Sequence, residues 1–159
     1  MKNAWVIILF VILSPLILPL VLVFLCAHLI ASIAIYLAVW IVWLPHSKNV
    51  LFVYSNSPNW QKHIEENILP QIGDRAIVLN WSERKRWKKR NFLAVMAFRH
   101  FGGSREFNPL GVVFRPFRLA KVFRFWQPFK DFKHGKTESL ETMRDEFLRV
   151  VFQSNLTTR

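Results

Sequence analysis

From Ala4 to Leu44 the chain carries no Lys, Arg, Asp or Glu, and its clearly polar side chains there are Ser14, His28 and Ser32. A helix of that length would reach about 60 Å at about 1.5 Å per residue, roughly twice the ~30 Å hydrocarbon core of a bilayer. A helix that is apolar on every side does not suit a water-facing surface. The block therefore predicts an N-terminal transmembrane helical segment over residues 1–45 and leaves residues 46–159 for a folded domain.

Pro15 and Pro19, in the stretch SPLILP, remove backbone donors and crowd the preceding turn. They predict a short apolar leg over about residues 4–13 and a kinked single main span near residues 20–44. A helical hairpin turning near Cys26 to His28 is the competing arrangement; it would place both flanks, including Lys2, on one side. Ala31 to Ala34 offers small residues suited to signal cleavage, but the apolar run before it is far longer than a signal peptide's and IYLAVWIVWL continues after it. Cys26 is the one cysteine, which excludes an intramolecular disulfide, and Leu25 before it is too large for a lipoprotein-type cleavage site.

Charge sets the expected orientation. Twenty-one of the 22 basic residues and all ten acidic ones follow the apolar block, a net charge of +11 on that part. Cations close to a span favour the cytoplasmic side, so the domain is expected there, with Tyr36, Trp40 and Trp43 near the interface.

Beyond Pro45 the pattern changes to short elements. NVLFVYSNSP predicts a buried strand over Val50 to Tyr54, ended by turn residues. Trp60, Ile64, Ile68 and Ile72 recur at steps of four, the face of an amphipathic helix with Ser57 or Asn59 as cap and Gly73 beyond its end. A second strand is expected over Ala76 to Asn80, and the strand–helix–strand unit favours a parallel crossover. NFLAVMAFRHFGG reads as a helix closed by Gly102 and Gly103. GVVF and KVFRFW read as strands, and KTESLETMRDEFLRVVF as a helix capped by Thr137, with Leu140, Met143, Phe147, Val150 and Val151 as its apolar stripe. The expected fold is a small α/β domain of order β-α-β-α-β-β-α on a mostly parallel sheet.

In such sheets ligands bind beyond the carboxyl ends of the strands, where this chain places Ser55, Asn56, Ser57 and Asn80. These four are the candidate ligand crevice, beside a helix start that favours anions. The plainer reading, turn and cap residues, uses the same side chains. His134 to Thr137, HGKT, does not complete a phosphate loop, because Lys130 stands where the motif needs glycine. His63, Glu65 and Glu66 have no second ligand pair at metal spacing, so no metal and no cofactor is expected. Glu83, Glu106 and Asp131 read as ion-pair partners of nearby cations.

The strongest charge feature is WSERKRWKKR, where Arg84, Lys85, Arg86, Lys88, Lys89 and Arg90 surround two indoles. Read as the start of the helix that continues through Phe98, these cations crowd the positive end of a helix dipole, which predicts an anionic surface beside them. Arg115, Arg118, Lys121 and Arg124, interleaved with aromatics between Phe114 and Lys133, extend the candidate anion-binding set. Anionic headgroups of the bilayer are the expected partner, at about 1 kcal/mol per cation. The expected role is binding or assembly at the membrane, with no reaction indicated. A membrane-bound transferase for a phosphorylated or lipid-linked substrate is the alternative, and a membrane-tethered nucleic-acid binder a second one.

Overall fold

The structure, a computed structural model, describes residues 4–87 and 92–153. The chain divides into two compact units, Met1–Tyr36 and Leu37–Arg159.

The first unit is formed by α1, Ala4–Val42, which is long enough to reach into the second. The helix runs unbroken through Cys26 to His28, where the hairpin would have turned, and both prolines lie inside it. The stretch Ile17–His46 is long and apolar enough to cross a membrane. Over residues 17–34 its apolar side chains face outward, Leu18, Phe24 and Ile30 being 68, 70 and 67% exposed, whereas Ile35, Val39 and Trp43 further along are buried. Ser32 returns its hydroxyl to the His28 carbonyl at 2.9 Å, so the serine presents no unsatisfied donor on that apolar surface.

The second unit begins with the last turn of α1. Trp43 and a 3-10 turn, Leu44–His46, lead to Ser47, whose left-handed backbone (φ 59) sends the chain into the sheet. The elements that follow are β1 (Val50–Tyr54), α2 (Gln61–His63), a π turn (Ile64–Ile68), α3 (Leu69–Ile72), β2 (Ala76–Asn80), a 3-10 segment (Trp81–Arg86), α4 (Phe92–Gly102), β3 (Leu110–Arg115), β4 (Arg118–Arg124), α5 (Trp126–Lys133) and α6 (Glu138–Gln153).

The four strands lie in the order β2-β1-β3-β4. β1 and β2 are parallel, with Val50 opposite Ala76 and Tyr54 opposite Asn80. β3 is antiparallel to β1, and β4 antiparallel to β3. The sheet is therefore mixed, which corrects the expectation of a mostly parallel one. The cause is where α4 ends: Gly102, where an added Cβ would crowd the Phe98 ring at 3.0 Å, lies beside Leu110, so the chain reaches β3 at the carboxyl end of β1 and has to run back. A two-residue turn then returns β4, and two residues cannot make a parallel crossover.

Both faces of the sheet are covered, and every residue of β1 is buried. One face packs Val50, Phe52, Tyr54, Val113 and Phe123 against the helices between β1 and β2 and against α5 and α6. Ile64, Ile68 and Ile72 form the predicted stripe there. Steps of four drift by about 40° each on a regular α-helix, and the π turn takes out part of that drift. Pro70 supplies a reason for the irregularity, since it has no amide to offer the carbonyl four residues back. α6 buries Leu140, Phe147, Val150 and Val151 as expected.

The other face meets α4 and the last turn of α1. Phe114 receives Phe101 edge-on at 5.5 Å and Trp43 edge-on at 5.6 Å. α5 was not expected: its residues read as the end of a strand and a basic loop. Phe129 is fully buried and Phe132 partly so, which is the amphipathic spacing that makes the segment a helix.

Candidate functional site: a polar clasp and two basic ends

β1 and β2 being parallel, Ser55, Asn56 and Asn80 come together at their carboxyl ends. Asn80 Nδ2 donates to Asn56 Oδ1 at 2.6 Å. The Ser82 amide donates to Asn80 Oδ1 at 2.9 Å, and the Asn56 amide to Ser82 Oγ at 3.0 Å. Ser55 Oγ accepts from the Trp60 indole at 3.3 Å, and the Ser57 carbonyl accepts the amides of Trp60 and Gln61. These side chains are engaged with one another and with the turns they hold. They form a clasp that joins two strand ends and caps the 3-10 segment.

The basic run begins at that cap. Arg84, Lys85 and Arg86 lie in the last turn of the 3-10 segment, and Trp87 is extended (φ −63, ψ 107). Arg84 to Arg86 do not open a helix continuing through Phe98, because they belong to the 3-10 segment and Trp87 after them is extended. For Arg84 to Arg86 the dipole argument reverses, since cations at the carboxyl end of a helical turn are favoured. Lys88, Lys89 and Arg90 lie outside the described residues.

Behind these cations is an aromatic cluster. Trp81 meets Trp87, Phe98 and Phe107 edge-on at 5.7, 5.4 and 4.9 Å, an arrangement worth about 0.5–1.5 kcal/mol per pair beyond area. The Trp87 indole donates to the Asn80 carbonyl at 3.1 Å, which ties the cluster to the clasp. Arg84 lies over the Trp81 ring at 5.1 Å, and Arg99 shares the rim of a groove of about 320 Å³ there.

The remaining cations divide between opposite ends of the sheet. The register puts Arg115 opposite Arg118 at the end where β1 begins, and Arg124 opposite Leu110 at the end where β1 finishes. Arg118 and Arg124 are thus separated by the whole of β4, about 20 Å at ~3.4 Å per residue. Arg124 is occupied: its guanidinium donates to the carbonyls of Gly102 at 2.6 Å and Arg105 at 3.1 Å. Lys121 Nζ donates to Glu146 Oε1, and that lysine holds the carboxyl below the usual carboxylate range. Arg115 is half-buried and reaches the Leu119 carbonyl at 3.4 Å. Arg118, Lys85 and Arg86 stay exposed.

The ion pairs among the described residues are Lys121 with Glu146 and Arg144 with Asp145. Glu83, Glu106 and Asp131 form none there, against expectation; Asp131 instead accepts from Gln127 at 2.8 Å. No group of three His, Cys, Asp or Glu side chains among the described residues could hold a metal. His63 stands between Phe129 and Phe132 at 5.5 and 5.4 Å, and burial lowers its pKa, with Arg144 adding to the shift.

Sequence reasoning placed the turn between β3 and β4 inside the Phe114 to Lys133 segment but did not single out its apolar pair. Phe117 and Leu119 are 90 and 79% exposed, with Arg115 and Arg118 beside them. The Phe117 ring lies 5.3 Å from that of Trp40 in the last turn of α1. The readable signal was the pair of apolar residues in RPFRL, at turn positions where polar residues or glycine are usual. The chain matches no protein-family model, no curated protein and no solved structure.

Proposed function

We propose that this is an integral membrane protein in which α1 spans the bilayer and the α/β unit works in binding or assembly on the cytoplasmic surface. The observation that carries the reading is the outward-facing apolar surface of Ile17–His46, joined to a folded unit with a large excess of cations. Water does not tolerate so large a continuous apolar surface, and a lipid bilayer supplies what it needs. Cations following the span favour retention on the cytoplasmic side, where anionic lipid is concentrated.

The end of the sheet where β1 begins, with Arg115 and Arg118, is the one that follows the span directly in the chain. The far end, with Arg84 to Arg86, is displaced by the length of β1, about 13 Å at ~3.3 Å per residue. A domain lying along the surface brings both ends to the headgroups, and the tether makes that docking cost little entropy.

Alkaline carbonate extraction of membranes holding the full chain tests the anchor. The chain is expected in the pellet, and its appearance in the supernatant would refute the reading.

The far end supports a second reading as a nucleic-acid contact, carried by the Trp81 and Trp87 rings beside Arg84 and Arg99. Aromatic faces with adjacent cations suit unpaired bases and phosphates. Binding of single-stranded oligonucleotide by the detergent-solubilised chain should then fall steeply with salt, and a flat response contradicts it. The transferase alternative has no such support, because the side chains it would use are bonded to one another in the clasp.

A further inference from the structure

We infer that the turn joining β3 to β4 is a membrane-inserting tip. Phe117 and Leu119 enter the acyl boundary of the leaflet from which α1 emerges, and Arg118 meets its anionic headgroups. The inference rests on the reading of α1 as a bilayer span.

Phe117 and Leu119 are the most exposed large apolar side chains among the described residues. Neither contributes to the core, and both face water unless something covers them. Phe117 also has φ 54, the left-handed region that a bulky side chain disfavours. It follows Pro116 in a two-residue turn, at the position where a positive φ calls for glycine. Solvation and backbone preference both argue against phenylalanine there, and insertion into an apolar medium offsets both.

The neighbours identify that medium. Trp40, whose ring touches Phe117, lies inside the stretch Ile17–His46, and Ile41 and Val42 beside it are 71 and 51% exposed. A bilayer that takes up the helix to the depth of Trp40 brings the tip to the same depth. Tryptophan favours that level, and arginine flanking an inserted ring pairs with lipid phosphates. The paired strands stay outside the hydrocarbon, so the backbone keeps its hydrogen bonds.

The test uses the full chain with Cys26→Ala, reconstituted in vesicles of phosphatidylcholine and phosphatidylglycerol. Single cysteines carrying a nitroxide replace Leu119, Leu22 in the helix, or Lys136 in an exposed loop, and collisions with oxygen and with a nickel chelate are compared. Oxygen is expected to dominate at 119 and 22, and the chelate at 136. Adding Phe117→Gly, which relieves the backbone strain, should leave the thermal midpoint unchanged or higher while the 119 label loses its oxygen preference. A 119 label as open to the chelate as the 136 label, with 22 still in lipid, overturns the tip alone. Chelate access at 22 overturns the span and the tip together. A 119 label shielded from both reagents, with spin–spin broadening between chains, overturns the proposal in favour of a contact between copies.

Discussion

Asn80 donates to Asn56 at 2.6 Å and caps the following 3-10 segment through the Ser82 amide, so one side chain closes two strand ends and starts the basic run. Asn80→Ala removes both bonds. It is expected to cost about 1–2 kcal/mol, the range for a lost cap, and to disturb the Trp87 indole held on the Asn80 carbonyl. Urea unfolding of the chain in detergent, followed by tryptophan fluorescence, checks both. Unchanged stability would restore the alternative in which these side chains are held free for a ligand.

Arg124 gathers the carbonyls that end α4. Replacing it with alanine leaves those carbonyls without their donor, at a cost of about 1.5–3 kcal/mol for bonds to a charged group. Arg124→Lys should recover only part, because one ammonium cannot reproduce the fork. Hydrogen exchange at residues 101–106, measured beside global unfolding, distinguishes this local role from a surface charge effect.

Gly111 leaves room for Phe147, whose ring carbon would lie 2.7 Å from an added Cβ. Phe147 is fully buried against Phe52, Phe123 and Phe125 and has nowhere to move. Gly111→Ala is expected to destabilise by about 1–3 kcal/mol, as overpacked cores do. Adding Phe147→Leu should make the alanine itself less costly, a coupling that a double-mutant cycle in denaturant measures.

His63 makes stability depend on pH. Its folded pKa lies below the ordinary value because burial between Phe129 and Phe132 disfavours the charge and Arg144 repels it, with Glu66 opposing. As pH falls below about 6.5 the unfolded chain takes up the proton before the folded one does, so stability falls until the folded pKa is passed. His63→Gln should flatten that part of the profile. Thermal midpoints on either side of pH 6.5, compared with the variant, decide it.

The parts legible in the sequence were those governed by neighbours along the chain. Val50 to Tyr54 and Ala76 to Asn80 are apolar runs bounded by turn residues, and the structure places β1 and β2 there. The stripe of α6 was readable from its spacing alone. Strand direction was not, because nothing within LGVVFR states where α4 delivers the chain. α5 was hidden by Pro128, which a first helical turn tolerates, and by phenylalanines that suit a strand equally well. The charge of WSERKRWKKR was read together with Arg115 to Arg124 as a single candidate set for anionic headgroups. Only the register separates Arg118 from Arg124 and frees the one while committing the other.

With α1 across the membrane, the basic α/β unit is proposed to lie on the cytoplasmic side. A dual topology reporter fused after Arg159 measures this directly, pairing a fluorescent protein that matures only inside with a phosphatase active only outside. Bright fluorescence with silent phosphatase is the predicted result. An active phosphatase would place the unit outside and contradict both the orientation and the encounter with anionic lipid that depends on it.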